Sequence, residues 1–303
     1  MELDFVRVEC EIVADSSVQM TAVLYNALRN FDFQFKALCC HTMQKSCSFC
    51  SLYDECPYRI VFGQQLSSDA EIVRLHQKPS LPFSLYISMI DGNVSTRVVG
   101  MVVIGSAVNF IELFHTALLH MVEATVCTVL HPVDFTLRSY SLDYQGVRHL
   151  MADQASLSES VILLSGQHIL HNSVHSDSAR VDLKSPLRLL CNGAIAHNFD
   201  FALFLRSQLR RCSSLYAYYG TGKLDLDFVR LSETAQNVAV FNDKTRYTQP
   251  TWSKRLNRGG LAGTVECTGL VEPMLSLLIL GSYFNAGKGA TFGSGFHQIA
   301  VID

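Results

Sequence analysis

Five cysteines between residues 39 and 56 form the densest group of possible metal ligands in the chain, namely Cys39, Cys40, Cys47, Cys50 and Cys56. The last three are spaced as Cys-x2-Cys-x5-Cys, and either of the first two could supply a fourth thiolate. This set favours a structural, tetrahedral zinc. An iron–sulfur cluster is the rival, less favoured because no redox step is implied. A group of reduced thiols in a compact loop is the simplest alternative.

A glycine-rich segment with one lysine includes Gly287, Lys288, Gly289, Gly293 and Gly295. Glycines let backbone N–H groups surround a phosphate, and the lysine adds a positive charge. The segment is not a Walker A loop, because Ser282 stands where that motif needs a glycine. It is not a dinucleotide fingerprint either, since it follows a predicted helix and precedes a strand. A tight turn needs fewer glycines, so the segment favours phosphate binding.

Residues 244–258 combine basic side chains with aromatic rings and contain no acidic residue. The candidate RNA contacts in this basic segment are Arg246, Trp252, Lys254, Arg255 and Arg258. Such a mixture is typical of binding to single-stranded or loop RNA, because cations meet phosphates while rings stack on bases. A solvated strand face with one core tryptophan is the alternative.

Charge is unevenly distributed along the chain. The whole sequence has 24 basic and 27 acidic residues, a net charge of −3, which gives no sign of a polyanionic partner. Residues 1–15 hold five acids and one base, a balance of −4, whereas residues 244–288 hold six bases and two acids, a balance of +4. RNA binding would therefore depend on a local patch, with few phosphate contacts and a shallow salt dependence.

The composition and the order of predicted elements indicate a two-domain α+β protein of 303 residues. With 49% hydrophobic and 17% charged residues, the chain is not disordered, collagen-like or a coiled coil. Its N-terminus has no secretory signal and no apolar run reaches the roughly 20 residues of a membrane span, so we expect a cytoplasmic protein with reduced thiols and no membrane contact.

Both halves are predicted to follow the order strand, helix, two strands, helix, strand. In the first half these are 3–13, 17–30, the hairpin 83–90 and 96–104, 107–122 and 128–139. In the second half they are 180–190, 199–218, strands near 246–253 and 263–267, 272–282 and 296–302. We predict two tandem ferredoxin-like (RRM-like) domains, 1–153 and 154–303. The first contains a cysteine-rich metal-binding insertion at 39–62, and the second the glycine-rich loop at 287–295.

Four segments carry a resemblance to a known family. They are CSFCSLYDECPY at 47–58 with Phe62, SPLRL at 185–189, WSKR at 252–255 running to GGLAG at 259–263, and the glycine-rich segment. In these segments the sequence resembles the CRISPR-associated endoribonucleases of the RAMP superfamily that process precursor CRISPR RNA, in the branch with a cysteine-rich insertion. It departs from many relatives in having no glycine at 122–130.

The resemblance implies metal-independent cleavage of repeat RNA that yields mature guide RNA. The 2′-hydroxyl attacks the adjacent phosphate and leaves a 2′,3′-cyclic phosphate and a 5′-hydroxyl, which calls for a base, an acid and a cation. Relatives often place a histidine within or just after the first helix, where His41 stands. We predict His41 as general base or acid, Lys45 as charge stabiliser and Tyr25 as a substitute. A role for His41 within the cysteine module is equally compatible, and His297 is a weaker candidate.

The expected partner is CRISPR repeat RNA or its processed product, with other CRISPR effector or adaptation proteins as further candidates. A second hypothesis is a non-cleaving RNA-binding subunit of a CRISPR interference complex, built on the same fold. A third is a metal-stabilised protein interaction module without an RNA role.

Overall fold

The computed structural model describes residues 2–14, 20–40, 47, 50–89, 96–129, 134–151, 157–172, 175–222, 224–249 and 259–302. The chain divides into two compact units. Asp4–Leu164 form the N-terminal unit, and Ser165–Asp303 together with Met1–Leu3 form the C-terminal unit. The sequence prediction placed the domain boundary after residue 153, whereas in the structure the boundary along the chain falls between Leu164 and Ser165.

The N-terminal unit is built on an antiparallel sheet with the strand order β2-β3-β1-β4-β5, and β6 also pairs with β1. Its strands are β1 (Asp4–Ala14), β2 (Phe83–Met89), β3 (Thr96–Ile104), β4 (Phe135–Leu142), β5 (Arg148–Leu150) and β6 (Leu163–Ser165). Its helices are α1 (Met20–Ala27), α2 (Phe31–Cys39), α3 (Pro57–Phe62), α4 (Ala70–Leu75), α5 (Ile111–Val129) and α6 (Leu157–Ser160), with 3₁₀ turns at Leu28–Asn30 and Gly105–Phe110.

Aromatic side chains fill the core between this sheet and its helices. Phe31 and Phe35 lie one helical turn apart on α2 and face Phe83 of β2 and Phe114 of α5. The ring centroids of Phe35 and Phe114 are 4.9 Å apart, and those of Phe31 and Phe83 are 5.2 Å apart. All four rings are fully buried, so they anchor α2 and α5 to the sheet.

One described helical stretch, Gly105–Thr128, is long and apolar enough to cross a bilayer by length and composition alone. Its Phe114, Leu118 and Val122 side chains are fully buried within the protein. That packing is typical of a core helix, which passes the same test as a membrane span.

The face of the N-terminal sheet opposite Cys10 and Ile12 carries an ion cluster, defined here as Glu9, Glu11, Tyr86 and Arg148. The Arg148 guanidinium lies 3.1 Å from Glu9 Oε2 and donates from Nη1 to Glu11 Oε2 at 2.6 Å. Tyr86 donates its hydroxyl to Glu9 Oε1 at 2.8 Å. Both carboxylates are buried, and burial together with Glu9 raises the pKa of Tyr86. Part of the negative charge at the N-terminus is therefore neutralised inside the fold.

The C-terminal unit repeats the same plan with the strand order β10-β12-β7-β13, and β11 also pairs with β12. Its strands are β7 (Ser178–Leu187), β8 (Leu190–Cys191), β9 (Ala194–Ile195), β10 (Ala239–Asp243), β11 (Arg246–Thr248), β12 (Gly260–Thr268) and β13 (His297–Val301). Its helices are α7 (Gly166–His171), α8 (Phe201–Tyr219), α9 (Phe228–Thr234) and α10 (Met274–Phe284), with a 3₁₀ turn at Ala235–Asn237.

Each unit therefore has the ferredoxin-like order and sheet topology that the sequence predicted. The predicted hairpin is confirmed as β2 and β3, which pair antiparallel from Phe83 with Val103 to Met89 with Arg97. In the C-terminal unit, the alternating burial of Ala179, Val181 and Leu183 on β7 directs one face of the sheet to the core. Helices α8 and α10 pack together over that core.

Candidate nucleic-acid interface

The glycine-rich loop occupies residues 285–296, between α10 and β13. Three backbone N–H groups fix it to the end of β7 and to α8. Lys288 donates to the carbonyl of Arg188 at 2.9 Å, and Gly295 donates to the carbonyl of Pro186 at 3.0 Å. Gly287 donates to the hydroxyl oxygen of Ser207 at 2.9 Å. The loop is thus held in one conformation by groups far away in sequence.

Backbone conformation explains the four glycines of this loop. Gly287, Gly289, Gly293 and Gly295 all have positive φ, between 65° and 88°. A Cβ added at Gly295 would lie 1.9 Å from the carbonyl oxygen of Ala286, and one at Gly287 would lie 2.6 Å from that of Arg188. The prediction that a turn alone would not need four glycines is corrected, because this connection needs positive φ at each of them.

Most amide groups of the loop are occupied within the protein. Within the described structure, only Gly289, Thr291 and Gly293 among residues 287–295 have a backbone N–H without a hydrogen-bond partner. Of these three residues, Gly289 is exposed and the other two are buried. Gly289 adjoins the exposed Lys288. The loop can therefore offer an anion one amide and one ammonium group, rather than a full cradle of amides.

A buried histidine supports the start of β13 next to the loop. His297 is 1% exposed, which removes it from the catalytic candidates because a substrate could not reach it. Its Nδ1 lies 2.8 Å from the carbonyl oxygen of Gly295 and its Nε2 lies 2.7 Å from Nε2 of Gln208. The first contact requires Nδ1–H and the second an acceptor Nε2, so the ring is neutral. Burial lowers the pKa of His297 to about 4.

Arg246 is the one member of the predicted RNA-contacting set in 244–258 that the structure describes. It is exposed on β11 and pairs with Ala262 of β12. Trp252, Lys254, Arg255 and Arg258 lie outside the described residues. Their role as RNA contacts stays a prediction.

The catalytic candidates belong to the N-terminal half. His41 and Lys45 lie outside the described residues. Tyr25 is on α1 and only 8% exposed, beside the fully buried Leu24. Little of the Tyr25 side chain is accessible to a substrate, so the prediction that Tyr25 substitutes for a catalytic residue gains no support.

The five cysteines of the predicted metal module are described and half-buried. Burial and the nearby Cys47, Cys39 and Cys40 raise the pKa of Tyr58 of α3, and the N–H of Cys50 donates to the carbonyl of Cys47 at 3.1 Å. Cys39 donates its thiol to the carbonyl of Phe35 at 3.2 Å. Burial, together with the neighbouring Cys56 and Cys40, raises the pKa of Cys39 to about 11. A cysteine binds zinc as a thiolate. Among the described residues, no three His, Cys, Asp or Glu side chains are arranged to hold a metal ion. The metal module therefore stays a prediction.

Each half of the chain matches a known protein-family model. Residues 181–296 match the family model described as CRISPR-associated endoribonuclease Cas6, and this match includes the whole glycine-rich loop. Over these residues the chain is similar to the Cas6 family. Residues 3–159 match a second model, AF_1859_N, described as an N-terminal domain. The resemblance to CRISPR-associated endoribonucleases is thereby confirmed.

Solved Cas6 structures share this architecture over nearly the whole chain. A Thermus thermophilus Cas6 (TTHB231) is 12% identical with a TM-score of 0.54, covering 99% of both chains. A product complex of another Cas6 (TTHA0078) is 14% identical with a TM-score of 0.52, covering 97% of this chain and 99% of that one. At these identities the likeness shows the fold alone. No curated protein matches the chain.

Two contacts of the chain were not predicted from its sequence. One is the Gln208–His297 pair that supports the loop, and the other is a parallel stack of His197 on Tyr247. Tyr247 lies within the basic segment that the sequence singled out, so it carried a weak signal. His197 and Gln208 carried none, because each meets its partner only when segments that are distant in sequence fold together.

Proposed function

We propose that the protein binds CRISPR repeat RNA and cleaves it in precursor CRISPR RNA, giving mature guide RNA. One observation carries the proposal: the Cas6 match at 181–296 contains a rigid loop that exposes Lys288 and the amide of Gly289. An exposed ammonium beside a free amide suits a phosphate oxygen, because both groups donate to a negative charge. A Cas6 of the same fold is known with its product bound.

In this proposal Lys288 and Gly289 bind one backbone phosphate of the RNA. The basic segment adds contacts through Arg246, Trp252 and the cations of 254–258. These contacts position the strand, since phosphates carry no sequence information directly. Few cations take part, so the salt dependence of affinity is shallow.

Cleavage is proposed to proceed through the 2′-hydroxyl of the RNA and to need no metal ion. His41 removes the hydroxyl proton or protonates the leaving 5′-oxygen, and Lys45 stabilises the charge that develops on the phosphate. The attack forms the 2′,3′-cyclic phosphate as the bond to the 5′-oxygen breaks. Histidine is suited to this exchange because its ordinary pKa is near neutral. The predicted setting is the cytoplasm, where the transcript is made.

The test is cleavage of the repeat RNA encoded beside the gene, by the full chain, in excess chelator. Wild-type protein should yield a 2′,3′-cyclic phosphate end, and RNA with a 2′-deoxy group at the cleavage position should bind and stay intact. His41→Ala should lower the cleavage rate by about 10²-fold or more with unchanged binding. His120→Ala, an exposed histidine of α5, is the matched control. Binding without cleavage by the wild type would favour the non-cleaving subunit, and unchanged cleavage by His41→Ala would remove His41 from the mechanism.

A structural zinc held by Cys47, Cys50 and Cys56 with Cys39 or Cys40 stays a separate proposal, supported only by the spacing of the cysteines. If it is correct, the thiols must rearrange and lose their protons on binding. Metal analysis of protein purified without added metal should find about one zinc per chain, with no visible absorption. Visible absorption would indicate the iron–sulfur alternative, and a colourless, metal-free folded protein would exclude both.

A further inference from the structure

The C-terminal unit carries an aromatic stack outside the predicted RNA-binding set. The rings of His197 and Tyr247 are parallel to within 2°, with centroids 4.1 Å apart. Tyr247 lies on β11, where it pairs with Leu261 of β12. His197 lies between β9 and α8. The contact therefore joins two segments that are fifty residues apart in the sequence.

His197 is the outer ring of this stack. Tyr247 is half-buried, and the backbone of Gly259 lies so close that a Cβ there would be 2.5 Å from the tyrosine hydroxyl and 3.0 Å from Cε1 of its ring. His197, in contrast, is exposed. The stack thus rests on the protein through the tyrosine and presents the imidazole to solvent. A flat ring held in this way has lost most of its rotational freedom before any ligand arrives.

The stack and the glycine-rich loop are anchored on consecutive residues. The Leu189 carbonyl accepts from the N–H of Ala196, next to His197, at 2.9 Å. The Arg188 carbonyl accepts from the N–H of Lys288, also at 2.9 Å. Neighbouring Cα atoms of a chain are about 3.8 Å apart. One short stretch therefore supports both the exposed ring and the exposed ammonium group.

This combination suits single-stranded RNA, whose bases stack on aromatic rings while its phosphates meet cations. We infer that the outer face of His197 is a stacking site for one unpaired base of the bound RNA, with Tyr247 as its support. The inference rests on the proposed RNA-binding function. It adds to that function a contact with a base, whereas Lys288 and Gly289 contact only the backbone.

The test measures dissociation constants for the repeat RNA at several salt concentrations with the full chain. His197→Ala should weaken binding about 5- to 100-fold, the range of one base on an aromatic ring. His197→Phe should restore affinity to within about threefold, since a flat ring is retained. The slope of log affinity against log salt should not change in either variant, because stacking releases no counterions. His171→Ala, another exposed histidine of this unit, should bind as the wild type does.

A second measurement locates the base. Repeat RNAs with a single abasic nucleotide are bound to wild-type protein and to His197→Ala. At one position, removal of the base should weaken wild-type binding and leave His197→Ala unaffected, so that the two proteins become equal.

The outcomes separate this inference from the proposed function. Wild-type binding with no loss in His197→Ala, or a loss that no abasic position removes, would overturn the stacking site alone. A loss that His197→Phe fails to restore would also overturn it. Failure of the wild-type chain to bind repeat RNA would overturn the proposed function and the stacking site together.

Discussion

The same connection of the ferredoxin-like plan, from the second helix to the last strand, is built differently in the two units. In the N-terminal unit five residues, 130–134, lead from α5 to β4, and none is glycine. In the C-terminal unit twelve residues, 285–296, lead from α10 to β13 and include four glycines with positive φ. The connection in the C-terminal unit is therefore seven residues longer, and it contains the loop proposed to bind phosphate.

The two units also treat charge differently. In the N-terminal unit, Glu9 and Glu11 are buried and paired with Arg148. In the C-terminal unit, Lys288 and Arg246 are exposed. These charged groups are thus paired inside the N-terminal unit and exposed on the C-terminal unit. Four predictions test this division, in order of decreasing effect.

The first concerns the loop backbone. Gly295→Ala places a Cβ 1.9 Å from the Ala286 carbonyl oxygen at a φ of +65°, so it should cost about 4 kcal/mol of unfolding free energy. Gly146→Ala in the N-terminal unit has a φ of +80° and no atom within 4 Å of the new Cβ, so only the strain of about 1 kcal/mol remains. Urea unfolding followed by circular dichroism measures both. Equal costs would show that the packing of the loop is looser than described.

The second concerns the ion cluster of the N-terminal sheet. Arg148→Ala removes the guanidinium that is paired with the buried Glu9 and Glu11, and it should cost about 3 kcal/mol of unfolding free energy. Arg138→Ala, exposed on the adjacent strand, should cost less than about 0.5 kcal/mol. Gel shifts below the unfolding range should give wild-type RNA affinity for both. A selective loss of affinity in Arg148→Ala would contradict the division of roles between the units.

The third concerns pH. The pKa of His297 is about 4 in the folded protein and about 6.5 unfolded, so the unfolded chain binds the extra proton between these values. Stability due to neutral His297 is present above pH 6.5 and is lost as pH falls toward 4. Between pH 7 and 5 the loss should be about 2 kcal/mol. In thermal melts, His297→Gln should remove this contribution to the pH dependence of stability. His115→Gln, at a half-buried histidine of the N-terminal unit whose pKa is also lowered by burial, is the comparison.

The fourth concerns phosphate binding. Lys288→Ala should weaken repeat-RNA binding about fivefold at moderate salt, roughly 1 kcal/mol, because one exposed ion contact is lost. It should also reduce the slope of log affinity against log salt by about 0.7. Lys184→Ala, exposed on β7, serves as the control. An unchanged slope for Lys288→Ala would mean that this lysine contacts no phosphate.

Sequence periodicity predicted the long strands and helices of both units. It missed β10 and several short helices, and it failed at α2, where a strand-like and a helical spacing of apolar residues coincide. Residues 31–35, FDFQF, alternate like a strand, yet they begin α2, which buries Phe31 and Phe35 and leaves Phe33 58% exposed. Phe31 and Phe35 are also an i, i+4 pair, which is the spacing of one helix face. Only packing against α5 decides between a strand and a helix for this segment. The predicted helix at 17–30 therefore gave no sign of the second helix that follows it directly.

The candidate site was predictable as far as its residues are contiguous in sequence. The glycine-rich loop was found because its glycines and lysine lie within nine residues. The reason for those glycines was not predictable, since the carbonyls of Pro186 and Arg188 approach only in the folded sheet. The His197–Tyr247 stack and the Gln208–His297 pair likewise form only when segments that are distant in sequence come together in the fold.

The hydrogen bond from Lys288 to Arg188 spans one hundred residues. A chain in which β13 has not yet paired with β7 lacks this bond, and with it the groups proposed to hold a phosphate. Bound RNA would then favour the closed unit by mass action, because it has affinity for that form alone. If the proposed function is correct, bound RNA would also stabilise the folded C-terminal unit, and the resistance of this unit to proteolysis should rise with RNA concentration.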